Sequence, residues 1–212
     1  LPALREGLLE VQDEGSQLLA LALGARPGEA VLDRCAGAGG KALALAAEVG
    51  PRGRVHACDA DAGRLARLAV RAGRAGAGDI VAVHGAAPPP GLIVDRALVD
   101  VPCSELGPLR RGPDLRWRLD PAAFGPLPAL QGALLAEAAA CVRPGGRLVY
   151  ATCTFRAAEN EAVALAFEAA HPGWRRTAPA APPPLVGPDG FLRTWPHRHG
   201  TDGFFAAAWD RL

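Results

Sequence analysis

The chain has 212 residues, and half of them are hydrophobic, which is enough for one α/β domain with a buried core. The formal net charge is only +1, so overall electrostatics do not indicate a nucleic-acid-binding protein, and any such role needs a local basic patch or a second domain. No apolar run is long enough to span a membrane and no basic, apolar leader is present, so the sequence predicts neither an anchor nor a secretory signal.

The cysteine pattern predicts reduced thiols. Five cysteines are present and no two have CxxC spacing, so we expect neither a disulfide framework nor a zinc site or other metal centre. Reduced thiols are typical of the cytoplasm, where we expect this protein to act. The chain contains no methionine, even at its start. We therefore expect it to be a fragment that lacks an upstream region.

Predicted strands and helices alternate along the chain. We expect seven strands, at 30–33, 54–58, 79–83, 96–101, 147–152, 191–195 and 203–209. We expect helices at 16–23, 41–49, 62–75, within 121–142, and at 157–170. This alternation predicts a doubly wound α/β fold with a mostly parallel sheet, and the last two strands should be antiparallel because no helix-length segment separates them. Ligands of such sheets bind beyond the carboxyl ends of the strands.

A glycine-rich turn, 37–40, follows the first strand and leads into a helix that begins at about Lys41, the only lysine. A Walker P-loop is excluded because Cys35 and Ala42 occupy the positions of its first glycine and its Ser/Thr, and the third glycine of a dinucleotide fingerprint is also missing. A ligand that combines adenosine with an amino acid fits better. Lys41 would meet its carboxylate, and Asp59, at the end of the second strand, would hold a ribose hydroxyl. The alternative is a structural turn with Asp59 as a helix cap.

Two cysteines follow the fourth and fifth predicted strands, Cys103 after Val99-Asp100-Val101-Pro102 and Cys153 after Thr152. Neighbouring strands would bring both thiols, with Asp100, to the edge where ligands bind, which suggests covalent chemistry. The alternative is that both are small buried hydrophobic residues, an interpretation that we prefer for the other three cysteines.

The segment between these cysteines is rich in arginine and contains a tryptophan. Its candidate RNA contacts are Arg110, Arg111, Arg116 and Trp117, which would hold phosphates and stack on a base. A solvated charged loop is the alternative. After Cys153, the polar residues 156–161 are explained by simple helix capping, without a catalytic role.

Six segments together resemble the RsmB/Sun family of rRNA cytosine-5 methyltransferases, which is related to the Nop/NSUN enzymes. They are VQDEGSQ (11–17), CAGAGGK (35–41), DVPCS (100–104), RRGPDLRW (110–117), YATCTFRAAENE (150–161) and HGTDGFF (199–205). Each segment alone is weak evidence. The two cysteines fifty residues apart, with the arginine-rich segment between them, are specific to this family.

The resemblance implies a class I, Rossmann-like methyltransferase fold, with a seven-stranded, mostly parallel sheet, an antiparallel last strand and helices on both faces. It implies a catalytic domain at 29–212 after a helical lead-in at 1–28, with an upstream RNA-binding domain missing. The implied cofactor is S-adenosyl-L-methionine. The residues implied to hold it are Cys35, Ala36, Gly37, Ala38, Gly39, Gly40, Lys41, Asp59 and Asp100.

The resemblance also implies the chemistry. Cys153 attacks carbon 6 of cytosine, which makes carbon 5 reactive towards the methyl group, and Cys103 assists release of the methylated RNA. Asp100 hydrogen-bonds ring nitrogen 3. The target base must be unstacked to reach the site. The implied substrate is 16S rRNA, and the enzyme is expected to be a monomer.

The chain departs from the family pattern at two positions. The family has an aspartate after the third strand, where this chain has Ala86, so contacts to adenine would be weaker or made by the backbone. The family reads PCSGTG where this chain has Glu105 in place of the first glycine after Ser104. Glu105 places a negative charge near the RNA path and is expected to alter substrate choice.

Three alternatives stay open at this point. A DNA cytosine-5 methyltransferase would use Cys103 as the nucleophile. A cofactor-binding RNA scaffold would have lost turnover, and the missing aspartate at Ala86 supports that hypothesis. A small-molecule methyltransferase would share only the sheet and leaves the arginine–tryptophan segment unexplained.

Overall fold

The computed structural model describes residues 1–212, apart from the side chain of Arg118. Eight strands form one sheet. They are β1 (Ala30–Asp33), β2 (Arg54–Ala57), β3 (Val81–Val83), β4 (Val94–Asp100), β5 (Val142–Thr152), β6 (Trp174–Thr177), β7 (Leu192–Thr194) and β8 (Phe204–Arg211).

The strand order is β3-β2-β1-β4-β5-β8-β6, with β7 also paired to β8. The first five strands are parallel, while β8 runs antiparallel to β5, β6 and β7. The predicted doubly wound sheet and its antiparallel end are confirmed. The order reverses between β1 and β4, so the carboxyl ends of β1, β4 and β5 meet at one edge, where such folds bind ligands.

The structure differs from the prediction in two strands. β6 was not predicted, and it pairs with the second half of β8 while β7 pairs with the first half. Its two central residues are arginines, so it lacks the apolar alternation that indicates a strand, and it enters the sheet by pairing with β8. β5 begins at Val142 rather than at 147, and the expected turn at 144–146 is an irregularity within the strand, where the register with β4 shifts.

The helices cover both faces of the sheet. They are α1 (Pro2–Arg5), α2 (Glu14–Ala22), α3 (Gly40–Val49), α4 (Ala62–Arg74), α5 (Leu115–Arg118), α6 (Leu127–Cys141), α7 (Glu161–Ala170) and α8 (Pro196–His199). None of the described helices has the length and apolar character needed to cross a membrane.

Two apolar clusters form the core, one on each face of the sheet. Leu19 of α2, Leu45 of α3 and Leu68 of α4 belong to the first, and Leu135 of α6 and Phe167 of α7 belong to the second. In the second half of β4, Leu98 enters the first cluster while Ala97 and Val99 enter the second, so this part of the strand is buried on both faces. The side chains of α2 are part of the first cluster, so the segment before β1 packs directly on the sheet.

Candidate active site

The glycine-rich turn lies between β1 and α3. Gly37 and Gly39 have φ angles of 55° and 91°, which only glycine adopts without strain. A side chain on Gly39 would lie 2.4 Å from Leu68, whereas one on Gly37 would meet no atom within 4 Å. Gly39 is therefore required by packing, while Gly37 leaves the backbone open to a ligand at the start of α3.

Asp59 holds the turn from the end of β2. Its carboxylate accepts hydrogen bonds from the backbone N–H groups of Gly37 and Asp61, each at 2.8 Å. It is not the cap of α4, because Asp61 performs that role by accepting from the N–H of Arg64 at 2.9 Å. The alternative interpretation of Asp59 as a helix cap is therefore wrong. Asp59 also lines the cavity described below.

Three charged side chains lie together at the ends of β1 and β4. The Lys41 ammonium is 2.6 Å from the Asp100 carboxylate, and neither oxygen of the fully buried Asp33 has a partner among the described residues. Burial above all, together with the negative charges of Asp100 and Asp59, raises the pKa of Asp33 to about 7 although Lys41 opposes them. Burial lowers the pKa of Lys41, but Asp100 and Asp33 outweigh it, so the net shift is upwards and Lys41 stays charged. A carboxylate ligand would have to share Lys41 with Asp100.

A cavity of about 550 Å³ opens at this edge of the sheet, a volume within the range of cofactor sites. The predicted site residues that line it are Cys35, Ala36, Gly37, Asp59, Asp100, Cys103 and Cys153. Ala38, Gly39, Gly40 and Lys41 support the turn but do not line the cavity. Arg34, Arg64 and Glu105 also line it and were not predicted as part of the cofactor site. Among the described residues, no group of three His, Cys, Asp or Glu side chains is placed to hold a metal ion.

The residue that replaces the usual aspartate after β3 does not line this cavity. Ala86 lies in the loop after β3, and the neighbouring Gly85 accepts a hydrogen bond from the N–H of Asp59 through its carbonyl at 3.1 Å. This loop therefore acts on the site through its backbone.

The two candidate cysteines are in contact. Asp100 pairs with Ala151 in the parallel register of β4 and β5, so the loops that follow bring the sulfurs of Cys103 and Cys153 to 3.3 Å from each other. The predicted juxtaposition is confirmed. The hydrogen bond to Cys103, burial, and the negative charges of Asp100 and Glu105 raise the pKa of Cys153 well above its ordinary value. Cys153 therefore rests as a thiol, and a nearby positive charge or a base is needed to activate it.

The polar residues after Cys153 do not cap a helix, contrary to the sequence interpretation. Asn160 precedes α7 but makes no capping hydrogen bond; its side chain accepts from the Thr152 hydroxyl at 2.5 Å and donates to the Thr154 carbonyl at 3.0 Å. The buried Glu159 carboxylate accepts from the Ser104 N–H and from Gln131, each at 2.9 Å.

A hydroxyl contact completes this buried network, since Ser104 and Thr154 are 2.7 Å apart. The network joins the loop that carries Cys103 to the loop that carries Cys153. Glu159 and Asn160 were not predicted to connect these loops. The signal in the sequence was the position of these two polar residues, which directly precede the helix rather than lie in its first turn.

The arginine-rich segment divides into two parts. Arg110 and Arg111 both pair with the buried carboxylate of Asp202, and Arg110 also contacts Asp13 at 3.1 Å. These ion pairs join three of the six segments that resemble the family, 11–17, 110–117 and 199–205. The two arginines therefore have a structural role in addition to any contact with RNA. Arg116 lies 4.7 Å from the ring centre of Trp117, whose side chain is 78% exposed. Those two residues are free to meet a ligand.

Comparison with known proteins agrees with this geometry. The family model described as 16S rRNA methyltransferase RsmB/F matches residues 20–210. The protein named "Probable ribosomal RNA small subunit methyltransferase B" of Synechocystis is 43% identical over 98% of this chain and 48% of its own length. Ribosomal RNA small subunit methyltransferase B of Thermus thermophilus is 38% identical over 96% of this chain and 50% of its own length. The chain thus spans about half the length of these relatives.

Solved structures show the same fold. NSun6 from Pyrococcus horikoshii, solved with SFG, superposes with a TM-score of 0.88 at 28% identity, covering all of this chain and 55% of that one. A methyltransferase homologue from the same organism gives a TM-score of 0.81 at 28% identity, covering all of this chain and 71% of the other. The two-cysteine site, the glycine turn and a family match over most of the sequence lead to one conclusion: the chain belongs to the 16S rRNA methyltransferase RsmB/F family.

Proposed function

We propose that this chain transfers a methyl group from S-adenosyl-L-methionine to carbon 5 of a cytidine in RNA, most of all in 16S rRNA, through a covalent bond between Cys153 and the base. The observation that carries the proposal is the contact between the Cys103 and Cys153 sulfurs, 3.3 Å apart, on the wall of a cavity that also contains the glycine turn. A single thiol is compatible with many reactions. Two thiols beside the glycine-rich turn suit covalent attack on a base followed by release of the methylated product.

The donor groups of the cavity fit the cofactor. Asp59 accepts ribose hydroxyls, and the Gly37 backbone allows close approach. Lys41 does not line the cavity but holds the lining residue Asp100, and it is the cation assigned to the carboxylate. When bound, the cofactor supplies a methyl group on a positively charged sulfur, and that charge favours the Cys153 thiolate.

Cys153, Asp100 and Cys103 have separate roles in the proposed reaction. The Cys153 thiolate adds to carbon 6 of cytosine, which gives carbon 5 the electron density that it needs to accept the methyl group. Asp100 keeps one oxygen on Lys41, and its other oxygen is assigned to ring nitrogen 3, where a shared proton stabilises the adduct. Cys103, in contact with Cys153, assists release. Both cysteines line the cavity, so the target cytosine must be unstacked to reach them.

Residues 29–212 form the catalytic domain in this proposal, and residues 1–28 are its lead-in. Arg116 and Trp117, with Arg110 and Arg111 behind them, contact RNA next to the target base. The protein acts as a monomer in the cytoplasm. The exposed Trp117 ring suits stacking on an unpaired base, because such stacking tolerates any base sequence.

The test is mechanism-based trapping with RNA that contains 5-fluorocytidine, labelled cofactor and the native, Cys153→Ala and Cys103→Ala chains. The native and Cys103→Ala chains should form a denaturant-stable adduct, and Cys153→Ala should form none. With ordinary cytidine RNA, Cys103→Ala should accumulate unreleased adduct. An adduct that survives Cys153→Ala would reverse the roles of the two cysteines, and labelled DNA in place of RNA would then identify the DNA-methylating alternative.

A further inference from the structure

The backbone at Glu105 is strained. Its φ angle is 54°, and among the described residues it is the one non-glycine residue in the left-handed region. Strain of this kind persists where the surroundings fix the backbone, and it is found most often at functional sites. The family pattern has glycine at this position, so this chain has placed a carboxylate where glycine would be free of strain.

Both sides of Glu105 are fixed to the loop of Cys153. On one side, the Ser104 hydroxyl contacts Thr154 at 2.7 Å, and on the other the Gly107 N–H donates to the Cys153 carbonyl at 2.8 Å. A side chain on Gly107 would lie 1.9 Å from the Gly203 carbonyl oxygen and 2.8 Å from that of Cys153, so the backbone at Gly107 is packed tightly against both segments. Glu105 is thereby held next to the nucleophile.

The Glu105 carboxylate lines two cavities that meet at Cys103, the one of about 550 Å³ described above and a second of about 290 Å³. Within the described part of the chain, it makes no hydrogen bond and no ion pair. The other carboxylates of the first cavity are engaged: Asp59 and Asp61 accept backbone N–H groups, and Asp100 holds Lys41. Glu105 is the carboxylate that is free to accept a proton.

We propose that Glu105 is the base that removes the proton from carbon 5 after methyl transfer; the inference rests on the proposed function. In the methylated adduct, carbon 5 carries both the methyl group and this proton, and carbon 6 carries the Cys153 sulfur. A Glu105 oxygen takes the proton, and the electron pair of the C5–H bond forms the C5=C6 double bond. The C6–S bond breaks and its electron pair leaves on the Cys153 sulfur as thiolate. The exposed Glu105 then returns the proton to water.

The location of the carboxylate favours this step over the earlier ones. A negative charge beside Cys153 opposes formation of the thiolate, so Glu105 hinders the attack if it acts at all before the adduct forms. Once sulfur is bonded to carbon 6 that cost disappears, and carbon 5 is the atom next to it. A base at this point acts only on the release of product.

The test separates formation of the adduct from its release. Because fluorine at carbon 5 cannot leave as a proton, the trapping rate with 5-fluorocytidine RNA measures attack and methyl transfer alone, whereas turnover on cytidine RNA includes proton removal. We expect Glu105→Gln to trap within about twofold of the native rate but to turn over roughly 100-fold or more slowly, with adduct accumulating on cytidine RNA. Glu105→Asp should recover part of the turnover. Glu48→Gln, an exposed change outside both cavities, is the matched control and should behave as the native chain.

The outcomes distinguish the two proposals. If the native chain traps no RNA, the proposed function fails and this inference fails with it. If the native chain traps RNA and Glu105→Gln turns over at the native rate, only the role of Glu105 is overturned, and Cys103 is then the base. If trapping and turnover by Glu105→Gln fall equally, Glu105 acts in binding the base, which also overturns its role in release.

Discussion

The buried carboxyl of Asp33 should make the stability of this protein fall as the pH rises. The group is fully buried without a hydrogen-bond partner among the described residues, and burial raises its pKa to about 7 from an ordinary value of 3.8. The folded protein therefore binds this proton more tightly than the unfolded chain does. Between about pH 4 and pH 7 the folded state holds a proton that the unfolded state has lost, so the free energy of unfolding decreases with pH and levels off above about pH 7.

The shift sets the size of the effect. A difference of about three pKa units corresponds to roughly 4 kcal/mol at about 1.4 kcal/mol per unit. This is an upper limit for the substitution, because Asp33 also interacts with the charges of Lys41, Asp100 and Asp59. Asp33→Asn has nearly the shape of the protonated acid and no charge. Its stability relative to the native chain should therefore be about equal near pH 4 and higher by up to about 4 kcal/mol at pH 8.

Urea unfolding followed by circular dichroism, at several values between pH 4 and pH 8, measures this difference. Asp79→Asn is the control because Asp79 is exposed, so its effect should not vary with pH in this way. A difference between Asp33→Asn and the native chain that is the same at pH 5 and pH 8 would refute the reasoning, because it would show that the Asp33 carboxyl does not change charge when the protein unfolds.

Three further predictions follow from the contacts around the cysteines. Cys103→Ala removes the hydrogen bond that most raises the pKa of Cys153, so iodoacetamide should alkylate Cys153 faster at pH 8 than in the native chain; an unchanged rate would contradict this cause. Glu159→Gln removes the charged acceptor of the Ser104 N–H and should lower the free energy of unfolding by about 1–3 kcal/mol and slow trapping of 5-fluorocytidine RNA, whereas a stable variant that traps normally would exclude a positioning role. Glu105→Gly relieves the left-handed strain and should raise the free energy of unfolding by about 1 kcal/mol in thermal or urea unfolding, while a loss of stability would show that the Glu105 side chain stabilises its loop.

A feature of the site could be predicted from the sequence when it depends on residues that are close together in the chain. The glycine turn and Asp59 follow their strands directly, and Cys103 and Cys153 follow strands that any doubly wound order makes neighbours, so their positions in the chain were enough to place them together. Glu159 was misread because its partners Ser104 and Gln131 lie 55 and 28 residues away. Asn160 was misread because its side chain turns back to Thr152 and Thr154 instead of capping the helix that follows. A polar residue before a helix has the same local pattern whether it caps the helix or crosses to another loop.

Sequence by itself determined the alternating strands and helices, the parallel sheet, the glycine turn and the two thiols at one edge, because each depends on periodicity or on a residue next to a strand end. Only the tertiary structure decided which charged side chains are already engaged in ion pairs within the protein. Lys41 holds Asp100, Arg110 and Arg111 hold Asp202, and β6 pairs with β8. Ion pairs and strand pairing join distant parts of the chain, and their energy depends on distance and burial, which no local pattern records.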